Sequence, residues 1–169
     1  MDLLNPAFHK PFDAILIPYN TLNLLTTRQT ILNCLLGCKE NLRKEGRLIV
    51  QLFVPTKDFV ETTRSSFQFQ MFDRPGGGRI IKEIRKKYLA ETQTIQLEER
   101  YRIRPMQKGQ ANEDYHAITS IAAFNLEIWL SLFAEVTFAP EHIYGNYLCA
   151  PYDATLSACC LIVLKQQLL

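Results

Sequence analysis

The sequence has almost no charge bias, no closely paired metal-type cysteines and no long unbroken apolar run, and each absence narrows its function. Nineteen Lys and Arg against 17 Asp and Glu leave a net charge of +2, too weak to argue for nucleic acid or a membrane surface. The 5 cysteines include no CxxC pair. Cys34 and Cys38 are four apart in a helix-like stretch, and Cys159 and Cys160 are adjacent, so they would point to opposite faces of a strand. They read as buried, reduced thiols of a cytoplasmic protein. The greasiest region, "AITSIAAFNLEIWLSLFAEVTFA", is interrupted by Asn125 and Glu127 and lacks the roughly 20 apolar residues that span a bilayer. The opening "MDLLNPAFHKPFD" carries Asp2, Asn5 and Pro6 and is not patterned as a signal peptide. No metal-ligand cluster and no nucleophilic triad stands out.

What is present is an ordinary globular composition, 47% hydrophobic and 21% charged over 169 residues, which suits a single α/β domain over 1–169. "AILIPYN", Ala14 to Asn20, is a continuous apolar run ending in turn-type residues and predicts a strand buried on both faces. A helix follows, capped by Thr26 or Thr27. Ile31, Leu32, Cys34, Leu35, Cys38 and Leu42 form its apolar stripe, and Gly46 marks its stop. "RLIVQLFVP" then predicts a second buried strand, which closes a right-handed βαβ unit over 1–55.

Segment 56–122 reads as an insertion. Arg79 to Tyr88 turns back around "LAETQT" into an alternating strand as an antiparallel hairpin. One face of that strand carries Gln96, Glu98, Arg100, Arg102 and Arg104, and with Lys82 and Arg85–Lys87 it forms a local basic concentration. Glu83 and Glu98 are interleaved, so a solvated face is expected and nucleic acid is not. The loop "PMQKGQANEDYH" leads to segment 123–169, with a helix within Ala123–Phe133 and two closing strands in "EVTFAPEHIYG" and "SACCLIVLKQ".

In order, "FDAILIPYN", "NLRKEGRLIVQLFVP" and "FAEVTFAPEHIYGNY…SACCLIVLKQ" resemble the second half of small-molecule class I S-adenosylmethionine-dependent methyltransferases. Glu45 stands where that family usually has glycine, Ala134 likewise, and Asn146 where it often has an acid. "MDLLNPAF" is similar to the family's "DM-x-x-F" segment, with Asp2 matching the aspartate.

The resemblance implies a partial Rossmann-like sheet, the 4-5-7-6 side of the family order 3-2-1-4-5-7-6, with an inserted antiparallel hairpin. It implies S-adenosylmethionine as cofactor, with Asp2 and Leu3 near the adenine and Pro18, Tyr19, Asn20 and Thr21 facing the methionine end. Tyr144, Gly145 and Tyr147 would approach a small-molecule acceptor, and His116 is a candidate base, histidine being a side chain that titrates near neutrality. The family's first strand, Gly-rich loop and ribose-binding acid would all precede Met1. The local cluster "PGGGR" at Pro75–Arg79 is followed by alternation rather than a helix and reads as a loop between strands, not a substitute. A carboxyl-terminal half of this kind would bind the cofactor weakly on its own. The edge of strand 14–20 would then pair with a second copy or with a separate amino-terminal half. The alternative is a non-catalytic interaction or regulatory half-domain that works through the same edge.

Overall fold

The computed structural model describes residues 11–56, 59, 66–106, 111–157 and 159–167. Contacts divide the chain into two compact units, Met1–Lys57 with Ala122–Leu169, and Asp58–Ile121.

The first unit is built on a βαβ crossover. Strand β1, Phe12–Ile17, runs parallel to β2, Leu42–Leu52, and helix α1, Arg28–Asn41, connects them. Thr27 starts α1 by accepting from the Thr30 amide, which satisfies one of the orphan N–H groups of the first turn. Helix α2, Leu126–Glu135, begins in the same way, with the Asn125 side chain accepting from the Ile128 amide. Strands β7, Phe138–Tyr144, and β8, Cys160–Gln166, complete a sheet of order β1-β2-β8-β7, in which β8 is antiparallel to both of its neighbours.

One face of this sheet carries the core. Leu48, Val50 and Leu52 of β2 and Ile162 and Leu164 of β8 pack with Ile31, Cys34, Leu35 and Cys38 of α1 and with Trp129, Leu132 and Phe133 of α2. The expectation that the first strand is buried on both faces is corrected here. The strand ends at Ile17, and while Ile17 is buried, Leu16 is 61% exposed. A continuous apolar run registers hydrophobicity, not what covers it, and among the described residues β1 pairs only with β2.

The helix stop is corrected as well. α1 ends at Asn41, and Gly46 lies inside β2, where the register jumps from Phe12↔Leu42 to Ala14↔Arg47. A Cβ on Gly46 would meet the Phe12 carbonyl oxygen at 3.1 Å, so the glycine answers a close approach rather than a helix cap.

Burial of the thiols is only partly as expected. All five cysteines are free, with Cys34, Cys38 and Cys160 buried, but Cys149 is exposed on a turn at φ 60°. Burial pushes the Cys160 thiol up to about 12, and Cys38 is also raised, first by its hydrogen bond with Cys34 and then by burial.

Across β8, the Arg47 guanidinium grips Glu141 with two bonds of 2.6 and 3.0 Å. That hydrogen bonding holds the Glu141 carboxyl below its ordinary value of 4.5, against a smaller opposing effect of burial. A depressed carboxylate contributes stability that is present above its unfolded value and lost as pH falls through its folded one. Thermal melts should therefore show Tm falling on acidification below about pH 4.5. The Glu141→Gln variant should lose part of that slope while changing little at pH 7 to 8, relative to its own plateau. An unchanged slope would mean that the pair is not linked to folding.

The second unit is a four-stranded sheet of order β3-β4-β5-β6, antiparallel from β3 to β5: Ser66–Asp73, Gly78–Leu89, Thr94–Pro105 and Glu113–Ala122. β4 and β5 pair in full antiparallel register from Gly78↔Pro105 to Leu89↔Thr94. The insertion is thus larger than a hairpin, since the stretch before "PGGGR" supplies β3 and the expected loop through "NEDYH" supplies the start of β6, Glu113 to His116. "PGGGR" lies between strands as expected, forming the β3–β4 turn with Gly76, Gly77 and Gly78 at φ 87°, 92° and 104°.

The arginine-bearing face is laced with ion pairs: Arg100–Glu98 at 2.7 Å, Arg102–Glu83 at 3.1 Å and Arg104–Asp114 at 2.5 Å. Hydrogen bonds from Arg100 and Arg104 hold Glu98 and Asp114, respectively, below the usual carboxylate range.

Candidate cofactor and acceptor site

The carboxyl end of β1 leads into an unusual turn. Pro18 is followed by Tyr19 and Asn20, both in the left-handed region at φ 56° and 57°. Non-glycine residues there carry a cost of order 1 kcal/mol each, so neighbours must hold them. The Thr21 amide and hydroxyl both donate to the Pro18 carbonyl, at 3.1 and 2.5 Å. The Tyr19 amide donates to Gln51 Oε1 at 2.9 Å. A 3-10 turn, Thr21–Leu24, then buries Leu22 and Asn23 completely.

Asn23 is the anchor of this turn. Its Nδ2 donates to the Phe53 carbonyl at 2.9 Å and to the Ala122 carbonyl at 2.8 Å, and its Oδ1 accepts from the Phe53 amide at 3.1 Å. The segment leaving β1 is thereby fixed to Phe53, just after β2, and to Ala122.

Gln51, near the carboxyl end of β2 and only 9% exposed, joins the two halves of the site. The same Oε1 that receives the Tyr19 amide also accepts from the Tyr147 hydroxyl. Tyr147 belongs to the turn after β7, which is stabilised by the Gly145 amide donating to Ala150 at 2.8 Å and by Asn146 Oδ1 accepting from Leu148 and Ala150. A Cβ at Gly145 would lie 2.1 Å from Ser157 Oγ, so a larger residue here requires Ser157 to shift. Tyr144 closes β7 with its ring 5.5 Å from that of His142, in the row that runs through Leu161 to Gln51.

The structure therefore brings Tyr19 and Tyr147 together, with Asn20 beside them, through a glutamine that sequence reasoning did not single out. The signal was available: Gln51 is the one uncharged polar residue in "RLIVQLFVP", as Asn23 is in "LNLL". Asn20 Oδ1 is buried and has no hydrogen-bond partner among the described residues. Asp2 and Leu3 lie outside the described residues. His116 sits not in a loop but on β6 of the second unit, exposed, with its Nε2 3.1 Å from Glu98 Oε1. Among the described residues no cluster of His, Cys, Asp and Glu could hold a metal ion, and no helix is long and apolar enough to cross a membrane.

No protein-family model and no curated protein matches the sequence. Solved structures do. An S-adenosylmethionine-dependent methyltransferase from Clostridium acetobutylicum ATCC 824 superposes with a TM-score of 0.76 at 9% identity, over 98% of this chain and 63% of its own. The sugar N-methyltransferase KedS8 from Streptoalloteichus sp ATCC 53650 gives 0.76 at 12% identity, over 99% and 61%. CalS10, an amino pentose methyltransferase from Micromonospora echinaspora solved with S-adenosylmethionine bound, gives 0.71 at 14%, over 98% and 63%. The fold is that of S-adenosylmethionine-dependent methyltransferases. Identities this low carry the methyltransferase fold and nothing finer, and the chain spans between 61% and 63% of the length of these methyltransferases.

For a methyltransferase fold, the position of the described cluster is informative. Cofactors of open α/β sheets lie beyond the carboxyl ends of parallel strands, and Tyr19, Asn20 and Gln51 stand at those ends of β1 and β2. The Asn20 oxygen, unpartnered among the described residues, suits a cofactor that carries hydrogen-bond donors. The glycine cradle of the family has no counterpart among the described residues. Gly76–Gly78 form a hairpin turn, Gly37 lies in α1, Gly46 in β2, and Gly145 follows β7.

Proposed function

We propose that the chain supplies the 4-5-7-6 side of an S-adenosylmethionine-dependent methyltransferase of small molecules, with β1, β2, β8 and β7 in those places. The cofactor grip is completed by polypeptide outside these 169 residues, either a separate amino-terminal half or a second copy. The order and directions of the sheet support the assignment. So does the edge of β1, which among the described residues pairs only with β2, with Leu16 and Tyr19 61% and 83% exposed beside it.

When bound, the cofactor supplies a methyl group on a sulfonium sulfur for in-line displacement. The chain's work is positioning and water exclusion. Asn20 Oδ1 carries the reading: a buried acceptor without a partner costs about 1–3 kcal/mol, and a donor on the methionine end of the cofactor removes that cost. Pro18, Tyr19 and Thr21 shape the same end, and Asp2 and Leu3 serve the adenine. Tyr144, Gly145 and Tyr147 border the acceptor.

One missing ribose carboxylate removes a few kcal/mol, roughly two orders of magnitude in affinity. Calorimetry on the 169-residue chain should accordingly give a Kd for S-adenosylhomocysteine no tighter than about 1 mM. Micromolar binding by the chain alone would overturn the claim that its grip is incomplete. The open β1 edge equally favours a non-catalytic interaction module, which pairs but gains no affinity for the cofactor from its partner. Sedimentation showing a stable monomer at roughly tens of micromolar would count against pairing through β1 on either reading.

A further inference from the structure

One edge of the second unit has a character that the methyltransferase reading does not use. Strand β3, Ser66–Asp73, is the outermost strand of its sheet and, among the described residues, pairs with β4 alone. Phe67, Phe69, Met71 and Phe72 are 57%, 56%, 51% and 50% exposed. Four large apolar side chains within a strand of 8 residues make a contiguous patch, and such patches mark surfaces that another molecule covers.

Their placement says which part of the sheet is covered. Phe67, Phe69 and Met71 share one face, where their cross-strand neighbours on β4 are Arg85, Glu83 and Ile81. Beyond those, β5 presents Glu98, Arg100 and Arg102. Apart from Ile81 the face is charged from β4 inward, so its apolar surface is concentrated on the edge strand. A partner that fits this surface adds to the edge rather than stacking on the face.

The backbone of that edge is unguarded as well. The Arg74 amide donates to the Gly78 carbonyl at 3.1 Å. By the alternation of an antiparallel ladder, Gln68, Gln70 and Phe72 then turn their backbone groups toward β4, and Phe67, Phe69 and Met71 turn theirs away from it. Folded chains blunt such an edge with lysine, proline or a bulge. β3 has none of these. Its one charge is Asp73 at the end, and its ladder runs from Ser66↔Lys86 to Asp73↔Arg79 without a shift.

We propose that β3 pairs antiparallel with β3 of a second copy of this chain, about a two-fold axis at Phe69. In that register Phe69 meets its own counterpart, Phe67 meets Met71 on the same face, and Gln68 meets Gln70 on the other. The two Asp73 carboxylates lie at opposite ends. A two-fold contact requires a self-complementary strand, and one without charge from Ser66 to Phe72 faces itself without repulsion. At roughly 100 Å² for each half-exposed side chain, the four supply about 400 Å² per copy, which with the strand backbones reaches the low end of specific interfaces. The association is therefore weak and reversible. The inference rests on the second unit alone and stands whether or not the chain binds S-adenosylmethionine or pairs through β1.

Sedimentation equilibrium on the full chain carrying Leu16→Lys is the test, because a charge at that exposed position disrupts pairing through β1 and leaves β3 unchanged. A reversible monomer–dimer equilibrium is expected, with a Kd of roughly 1–100 μM. Adding Phe69→Lys should raise that Kd by about 10-fold or more, while the monomer melts within about 2 °C of its parent because the side chain is exposed. A monomer up to about 500 μM, or a Kd that Phe69→Lys does not change, would overturn the proposal. So would growth beyond a dimer, since β3 would then join a different strand of the next copy in an open chain. Cysteine pairs read the register without relying on that variant. Gln68→Cys with Gln70→Cys, in a Cys149→Ser background that removes the exposed thiol, should cross-link two chains under a mild oxidant. Neither single substitution should do so, because like positions lie about 7–8 Å apart in this register. A double variant that stays uncross-linked would overturn the pairing.

Discussion

Replacing Trp129 with alanine is expected to cost about 3–5 kcal/mol of folding stability, the range for truncating a fully buried aromatic. Trp129 is the chain's single tryptophan, has no exposed surface, and lies 5.4 Å from the Phe124 ring and 6.3 Å from the Phe133 ring. It is the side chain through which α2 seals the core shared by α1, β2 and β8. Domains of this size are held by only about 5–15 kcal/mol, so the loss would consume much of the total and lower Tm by roughly 10 °C or more.

Trp129→Phe separates packing from polarity. The indole Nε1 is buried without a partner among the described residues, so removing it offsets part of the lost volume. Phenylalanine should cost less than about half of what alanine does. Circular dichroism melts are the measurement, since both variants lose the fluorophore. A loss below about 1 kcal/mol in the alanine variant would mean that α2 does not close this core.

How legible the protein was depends on which force shaped each element. Burial writes itself into sequence, and so α1 could be read from Ile31, Cys34, Leu35 and Cys38, and α2 from the run around Trp129. Strand β6 could not. Its residues Glu113–Ser120 are all exposed, and it is held by backbone pairing at a sheet edge, which leaves no apolar period to detect. Gly46 was misread because glycine has more than one use. A helix stop and a close backbone approach look the same in one sequence, and here the Phe12 carbonyl decides between them. Leu16 shows the converse error, an apolar residue whose expected cover is absent among the described residues. At the candidate site, the turn at Tyr19–Asn20 followed from the end of an apolar run. The link through Gln51 to Tyr147 needed coordinates, because 96 residues separate its partners.

Asn23 carries the other large effect, and one of its two informative substitutions has the opposite pH behaviour from the parent chain. Asn23→Leu is close in volume but removes the hydrogen bonds that Asn23 makes with the Phe53 amide, the Phe53 carbonyl and the Ala122 carbonyl. Three hydrogen bonds at about 1 kcal/mol each set a loss of roughly 3 kcal/mol, enough to free the turn that presents Tyr19 and Asn20. Asn23→Asp keeps the acceptor for the Phe53 amide but sets a carboxylate against two carbonyl oxygens at a site with no exposure. Its folded pKa must rise, because both burial and the facing oxygens disfavour the anion. A raised carboxylate is tolerated best below its unfolded value, near about 3.9, and its penalty grows as pH climbs toward the folded one. The parent chain, with depressed carboxylates at Glu141, Glu98 and Asp114, loses stability on acidification instead. The Tm gap between Asn23→Asp and the parent should therefore narrow as pH falls from about 7 toward about 4. A gap that stays constant across that range would mean that the residue at position 23 is solvated in the folded state, and that the turn after β1 is held by something other than these three bonds.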